Sequence, residues 1–405
     1  MDNKYINYSA MPSEFGRWRT VALGIGGLLS IVILVIAVIF PDQREQALRS
    51  WLLGFIFWCG ISVGSLGLLI LQYLTGGAWG VVIRRIIEAS SRTLIIVAVM
   101  FAPILVGAVN LYQWANPIPA GDEVMLHRAG YLNVPAWGLR AVLYFALWFV
   151  MAHLLNKWSK QQDETGNFEF LSKATRFSGP TMVAFALVVS FAAIDWVMTL
   201  DPHWFSTIFG LLYVIGWALS ALAFTIAILA WLTGREPMNE IVGRKHFHDL
   251  GKLMLAMVMI WAYFNFSQFL IIWSGNLPEE TRWYLTRMKG VWGWISVGLI
   301  FFHFVFPYLF LLSRDVKRNS KWLSLLAIFI LVMRLMDYFF IIGPAPFIGN
   351  FDKELAFHIS WMDFAAPIAV GGIWLWWFFG EISKRPLVPI NDPFLENAIA
   401  HGKGH

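Results

Sequence analysis

A single cysteine, Cys59, is all the thiol chemistry this chain of 405 residues possesses. An internal disulfide is therefore excluded, as is a Cys-ligated iron–sulfur cluster, which needs several thiolates. No C-x-x-C-H segment occurs, so no c-type haem can attach. Walker and glycine-rich nucleotide loops are missing as well. Charge is scarce: Asp, Glu, Lys and Arg make up 14% of the residues, against 58% hydrophobic. With a mean hydropathy of +0.63, the chain has far more apolar surface than a soluble core can bury. What is abundant is aromatic, with 22 Trp and 34 Phe, residues suited to membrane interfaces and helix packing. A net charge of +5 does not point to nucleic acid here, because in a membrane chain the position of the charges outweighs their sum.

At about 20 apolar residues per crossing, ten spans are expected: 20–40, 51–74, 93–113, 135–155, 180–200, 205–232, 252–274, 290–312, 322–342 and 358–380. Backbone polar groups find no partner in lipid, so each should be helical. The first run is longer than a signal-peptide core and lacks an A-x-A-like site before Pro41, so it reads as a retained helix. Lys and Arg crowd alternate connections: Lys4, Arg17 and Arg19, then Arg84, Arg85 and Arg92, then clusters near 157–176, 235–245, 314–321 and the C-terminal tail. The opposite connections hold only Arg44, Arg49, Arg128, Arg282, Arg287, Lys289 and Lys353. The positive-inside rule then puts both termini in the cytoplasm.

Landmarks recur in order along the chain. Leu74-Thr75-Gly76 is matched by Leu232-Thr233-Gly234, and Trp114, Asn116 and Pro117 by Trp273, Asn276 and Pro278. Trp137-Gly138 is matched by Trp292-Gly293. Asp195-Trp196 precedes Pro202 by the same interval as Asp337-Tyr338 precedes Pro344. These matches predict one all-α integral membrane domain, 1–405, containing two parallel four-helix units, 51–200 and 205–342, flanked by the first and last helices.

Intramembrane charge marks the functional candidates, because a lone charge in hydrocarbon costs about 2.5–3.5 kcal/mol on insertion scales. Arg334 and Asp337, three residues apart, share a helix face and can pair. The alternative reading of the pair is a neutral lock between helices. Asp337 is expected about five residues, roughly 8 Å, inside the outer end of its span. Asp195 has no basic neighbour in its own helix, which makes it the better candidate for reversible protonation; the alternative is a hydrogen bond to a facing helix. Arg140, His358 and Asp363 fall on the outer half, and His303 and His153 toward the cytoplasm, so that carboxylates and imidazoles span most of the membrane at staggered depths. A bis-His haem is disfavoured, since His303 and His153 differ in depth. Asp201 and His203, flanking Pro202, read as proton gates or helix caps. His246 and His248, in a basic stretch, are expected to face water. Tyr338 beside Asp337 and Trp196 beside Asp195 place an aromatic residue next to each carboxylate in the chain.

Ten spans, two repeated units, the Ile194-Asp195-Trp196 and Met336-Asp337-Tyr338 motifs, the Trp-x-Asn-Pro-type exits and the Pro386–Pro393 tail together resemble the NrfD-like membrane subunits of bacterial alternative complex III, a quinol:cytochrome c oxidoreductase, and among them the shorter, ActF-type subunit. The resemblance covers essentially the whole chain. It implies a cofactor-free membrane subunit of a quinol-oxidising complex that supports proton translocation, and it is equally compatible with menaquinone or quinol binding to this chain, with proton conduction alone and with scaffolding. Haem c and iron–sulfur clusters would reside in partners: c-type cytochrome subunits and an iron–sulfur subunit, beside a larger NrfD-like subunit, in a bacterial inner membrane. It matches Asp195 and Asp337 to the acidic positions of the two repeats, with Arg334, His303 and His153 along a pathway. A secondary transporter and a purely structural scaffold are the competing classes.

Overall fold

A computed structural model of the chain describes residues 14–348 and 357–403; Lys4 and Lys353, used above for orientation, lie outside the described residues. Those described form an all-α membrane protein without a strand, carrying ten helices long and apolar enough to cross a bilayer. They are α1 (Glu14–Ile39), α2 (Pro41–Thr75), α3 (Ala78–Val106), α4 (Val134–Thr165), α5 (Phe168–Leu200), α6 (Phe209–Leu232), α7 (Arg244–Gly275), α8 (Gly290–Leu312), α9 (Ser320–Ile342) and α10 (Trp361–Ile382). Ten crossings put Glu14 and Lys403, the first and last described residues, on one face, called here the basic face.

Several helices overrun the expected spans. α2 starts at Pro41 rather than near 51, α3 at Ala78 rather than near 93, and α4 continues to Thr165. The 35 residues of α2 make a rod of roughly 50 Å at 1.5 Å per residue, well beyond the hydrocarbon. Counting apolar residues finds only the part inside lipid; the polar turns beyond it stay helical because the protein itself satisfies them. Arg84, Arg85 and Arg92, taken above as loop cations, are thus inside α3. Arg84 pairs with Asp392 of the C-terminal tail, and Arg85 with Glu88 and Asp163. Arg92 donates to Glu381 at 2.9 Å and to Asn156 at 2.6 Å.

Local chemistry sets the helix ends. Pro41 occupies the first turn of α2, where its missing N–H costs nothing. Asn133 caps α4 by accepting from the Ala136 N–H at 2.9 Å, and Asn319 caps α9 from the N–H groups of Lys321 and Trp322. At the other end of α1, the Arg44 side chain donates to the carbonyls of Ala37 and Val38. α3 is broken around Thr93 and Phe101, just ahead of Pro103.

Small residues decide the packing. In lipid, helices associate through close contact rather than hydrophobic gain. A Cβ at Gly64 of α2 would lie 2.0 Å from the Trp217 carbonyl of α6, so these two central helices touch backbone to backbone there. α1 meets α10 in the same way at Gly26 and Gly372. Around the α2–α6 pair, α2 packs on α3 and α5, α6 packs on α7 and α9, α5 crosses to α6, and α9 crosses to α2. α1 and α8 turn most of their surface outward, whereas α2 is buried nearly throughout.

Candidate functional site

Asp195 ends α5 in a closed setting. Its side chain is fully buried. Arg140 of α4 grips both carboxylate oxygens, with Nε at 2.7 Å from Oδ2 and Nη2 at 3.1 Å from Oδ1. The Tyr144 hydroxyl adds a third donor to Oδ2 at 2.8 Å. Forked guanidinium–carboxylate bonds are among the stronger hydrogen bonds a protein makes. The backbone is pinned as well: Trp137 and Thr199 donate to the Asp195 carbonyl, and Tyr112 to that of Trp196. Aromatic rings of Phe55, Phe101, Phe145 and Trp148 pack around Trp196. Asp195 has no basic neighbour in its own helix, as the sequence indicates, but Arg140 and Tyr144 of the facing helix bond its carboxylate, which is the alternative reading rather than a free acid. Tyr131 stacks on the Arg140 guanidinium, 3.7 Å from its centroid, and burial pushes its phenol up to about 12, with Asp195 adding to the rise.

Asp337, in the corresponding place on α9, has different surroundings. Arg334 of the same helix pairs with its Oδ2, and the Trp261 indole N–H of α7 donates to that oxygen at 3.3 Å. Oδ1 has no protein donor among the described residues. Arg334 also donates to the Tyr338 hydroxyl at 2.5 Å. The guanidinium fits only because α6 carries Gly216 opposite: a Cβ there would lie 2.2 Å from Arg334 Nη2. Asp337 contributes to the wall of a cavity of about 580 Å³ between α7, α8, α9 and the short helix Pro278–Met288. Most of this wall is apolar or aromatic, including Trp261, Phe266, Phe269, Phe304 and Phe340; its polar groups are few, among them Asn265, Tyr263, Tyr284, Arg287, Ser296 and Asp337.

Two of those polar groups are held firmly. Arg287 stacks on Trp283 at 3.7 Å and donates to the carbonyls of Trp283, Phe340 and Ile341. Burial pulls its guanidinium below the usual arginine range, with Asp201 acting in the other direction, yet a guanidinium stays charged in proteins. The cavity wall therefore holds a cation bonded to carbonyls. Tyr284 accepts from Gln268, which itself accepts from Ser206. Burial pushes the Tyr284 phenol up to about 12, so it remains a neutral hydroxyl at physiological pH.

His303 lies behind Trp261, with ring centroids 3.8 Å apart. It is fully buried, and neither ring nitrogen has a protein partner among the described residues. It sits on a π-helical turn, Leu299–Val305, inside α8; such turns widen a helix by one residue and recur at functional sites. A buried imidazole with two idle nitrogens calls for water or ligand.

The other candidates disperse. His153 is exposed on α4 and lines a separate basic cleft, far from any pairing with Asp195. His358 is exposed beside a cavity of only about 30 Å³ that Asp363 also lines. Asp363 completes the capping box of α10 with Ser360 and accepts from Ser50 and Gln46 of α2, a structural tie between helices. His203 lies 2.8 Å from Asp122. His246, expected in water, is instead buried: it accepts from the Gly243 N–H and bonds the Ala398 carbonyl at 2.9 Å, because the C-terminal helix Leu395–Lys403 folds over it.

Three features escaped the sequence reading. Trp261 and Arg287 carried no motif, and Glu88, at 0% exposure, sits in an ionic cluster with Arg85 of its own helix and Arg385 of a distant segment. The one available signal was Gly216, a small residue one helix away from Arg334.

Fold and site together define a multi-pass integral membrane protein, with ten membrane-spanning helices among the described residues and a buried aspartate paired with an arginine on α5 and on α9. Its family is not identified: no protein-family model and no curated protein matches the chain.

Proposed function

We propose that this chain is the cofactor-free membrane subunit of a quinol-oxidising respiratory complex, and that the cavity beside Asp337 receives the quinol headgroup. The observation that carries this reading is a lipid-level cavity of about 580 Å³, walled by aromatics, that ends on a carboxylate with one uncommitted oxygen. Its size suits a small-molecule site, which is typically apolar with a few placed polar groups. A flat aromatic headgroup packs between Trp261, Phe269 and Phe340, while Tyr284 and Asp337 reach its oxygens. On oxidation, quinol becomes quinone and releases two protons and two electrons. Asp337 takes one proton as general base and the second leaves to water in the cavity; an iron–sulfur or haem centre in a partner subunit would supply the two-electron acceptor. Arg334 keeps the carboxylate in position, and His303 is the next titratable group from which protons continue toward the basic face.

The test uses the assembled complex. Co-purification with multihaem and iron–sulfur subunits, together with Asp337→Asn slowing quinol oxidation and proton release, supports this function. Unchanged turnover and unchanged proton release would remove Asp337 from it. The broken α3 and the π-helical turn of α8 give a secondary transporter some support, since transporters commonly use interrupted helices. Solute uptake by the purified chain alone, in vesicles free of other subunits, would favour that class.

A further inference from the structure

A second cavity, of about 420 Å³, opens near the basic face between the middle of α3 around Arg92, the later turns of α4 and the end of α10. Arg92, Lys157, Lys160, Lys384 and Arg385 line it against one carboxylate, Glu381. Arg92 is committed to Glu381 and Asn156, Lys384 bonds Glu381 at 2.5 Å and Arg385 bonds Glu88 at 3.3 Å, so these three build the floor and rim rather than greeting a ligand. Lys157, exposed, makes no ion pair among the described residues, and the pair of Lys160 with Glu164 is a loose surface contact at 3.5 Å. On the membrane side the wall turns apolar, through Ile95, Phe149 and Ala152. A cluster of cations at the end of membrane helices, continuous with an apolar flank, has the chemistry of a headgroup above its acyl chains.

We infer that this cleft binds an anionic phospholipid of the leaflet on the basic face, with the phosphate at Lys157 and Lys160, the paired Lys384 and Arg385 adding positive potential behind it, and an acyl chain along Ile95 and Phe149. A soluble phosphate meets the cations but leaves the apolar flank wet, and a zwitterionic lipid carries its own competing cation. The excess of positive charge over Glu381, Glu88 and Glu164 therefore selects a lipid with net negative charge.

The experiment uses the full chain in detergent, delipidated and then supplied with phosphatidylglycerol, phosphatidylcholine or inorganic phosphate, and followed by native mass spectrometry and thermal unfolding. The expected result is retention of phosphatidylglycerol over phosphatidylcholine, with a rise in unfolding temperature that millimolar phosphate does not reproduce. Each cation near an anionic headgroup is worth roughly a factor of five, so Lys157→Gln with Lys160→Gln should weaken phosphatidylglycerol retention about thirtyfold. The Lys157→Arg, Lys160→Arg pair keeps the charge and should retain the lipid, which separates lost binding from lost folding. Equal retention in the Gln pair, equal stabilisation by phosphatidylcholine, or full replacement by phosphate would each overturn the assignment.

Discussion

Asp195 and Asp337 close α5 and α9 in the same setting, an aspartate before an aromatic residue with a proline seven positions on. Their surroundings differ in where the arginine comes from. Arg140 reaches Asp195 from the neighbouring helix and takes both oxygens, so the site is closed and its carboxylate fully bonded. Arg334 reaches Asp337 from one turn earlier on the same helix and engages one oxygen, which leaves the other side open to a cavity. Counterion origin thus separates a helix-to-helix lock from a site with chemistry to spare. The same contrast appears one layer out, where Trp148 packs beside Trp196 in the closed site, while the open site has His303 with both ring nitrogens idle.

The comparison breaks most visibly at the closed site. Asp195→Ala strands Arg140 and Tyr144 and should cost about 3 kcal/mol, the low end for breaking a buried pair because Arg140 keeps some exposure; thermal unfolding of the purified chain reads it. Gly216→Ala acts on the open site through sterics: the new methyl drives the Arg334 guanidinium aside, at about 1–3 kcal/mol for an overpacked core. The same measurement should show it, with turnover of the complex falling in parallel. Asp337→Asn keeps the volume and an acceptor for Arg334, so unfolding should shift less than for Asp195→Ala, while quinol oxidation drops at least tenfold, about 1.4 kcal/mol in the barrier. Equal loss of stability at both aspartates would erase the distinction between lock and site. Tyr284→Phe removes one hydroxyl from the cavity wall and should raise the KM for quinol a few-fold, in line with roughly 1 kcal/mol for a single neutral hydrogen bond.

The ten crossings were legible because lipid imposes a length and an apolar content on each helix, and both are written in consecutive residues. Asp195, Arg334 and Asp337 stood out for the same reason, as charges where hydrocarbon tolerates few. What the sequence concealed depends on contacts between segments far apart in the chain. Arg140 and Asp195 are separated by 55 positions, so a search within one helix saw an unpaired acid. Arg84 and Arg85 looked like loop cations because the hydropathy falls where α3 leaves the membrane, yet the helix continues and pairs them with Asp392, Glu88 and Asp163. His246 was assigned to water because its neighbours in sequence are polar; the cover over it comes from the C-terminal helix. The cavity itself is assembled by α7, α8, α9 and a short helix between α7 and α8, and no local pattern announces empty space.

Labelling of the assembled complex with a photoreactive short-chain quinone, mapped by peptide mass spectrometry, addresses the difference between the two acidic sites most directly. Adducts should fall within 259–304 and 337–340, disappear under excess quinol and thin out in Asp337→Asn. Adducts around 131–148 and 195–199 instead, or a pattern that excess quinol leaves unchanged, would contradict a headgroup site at Asp337.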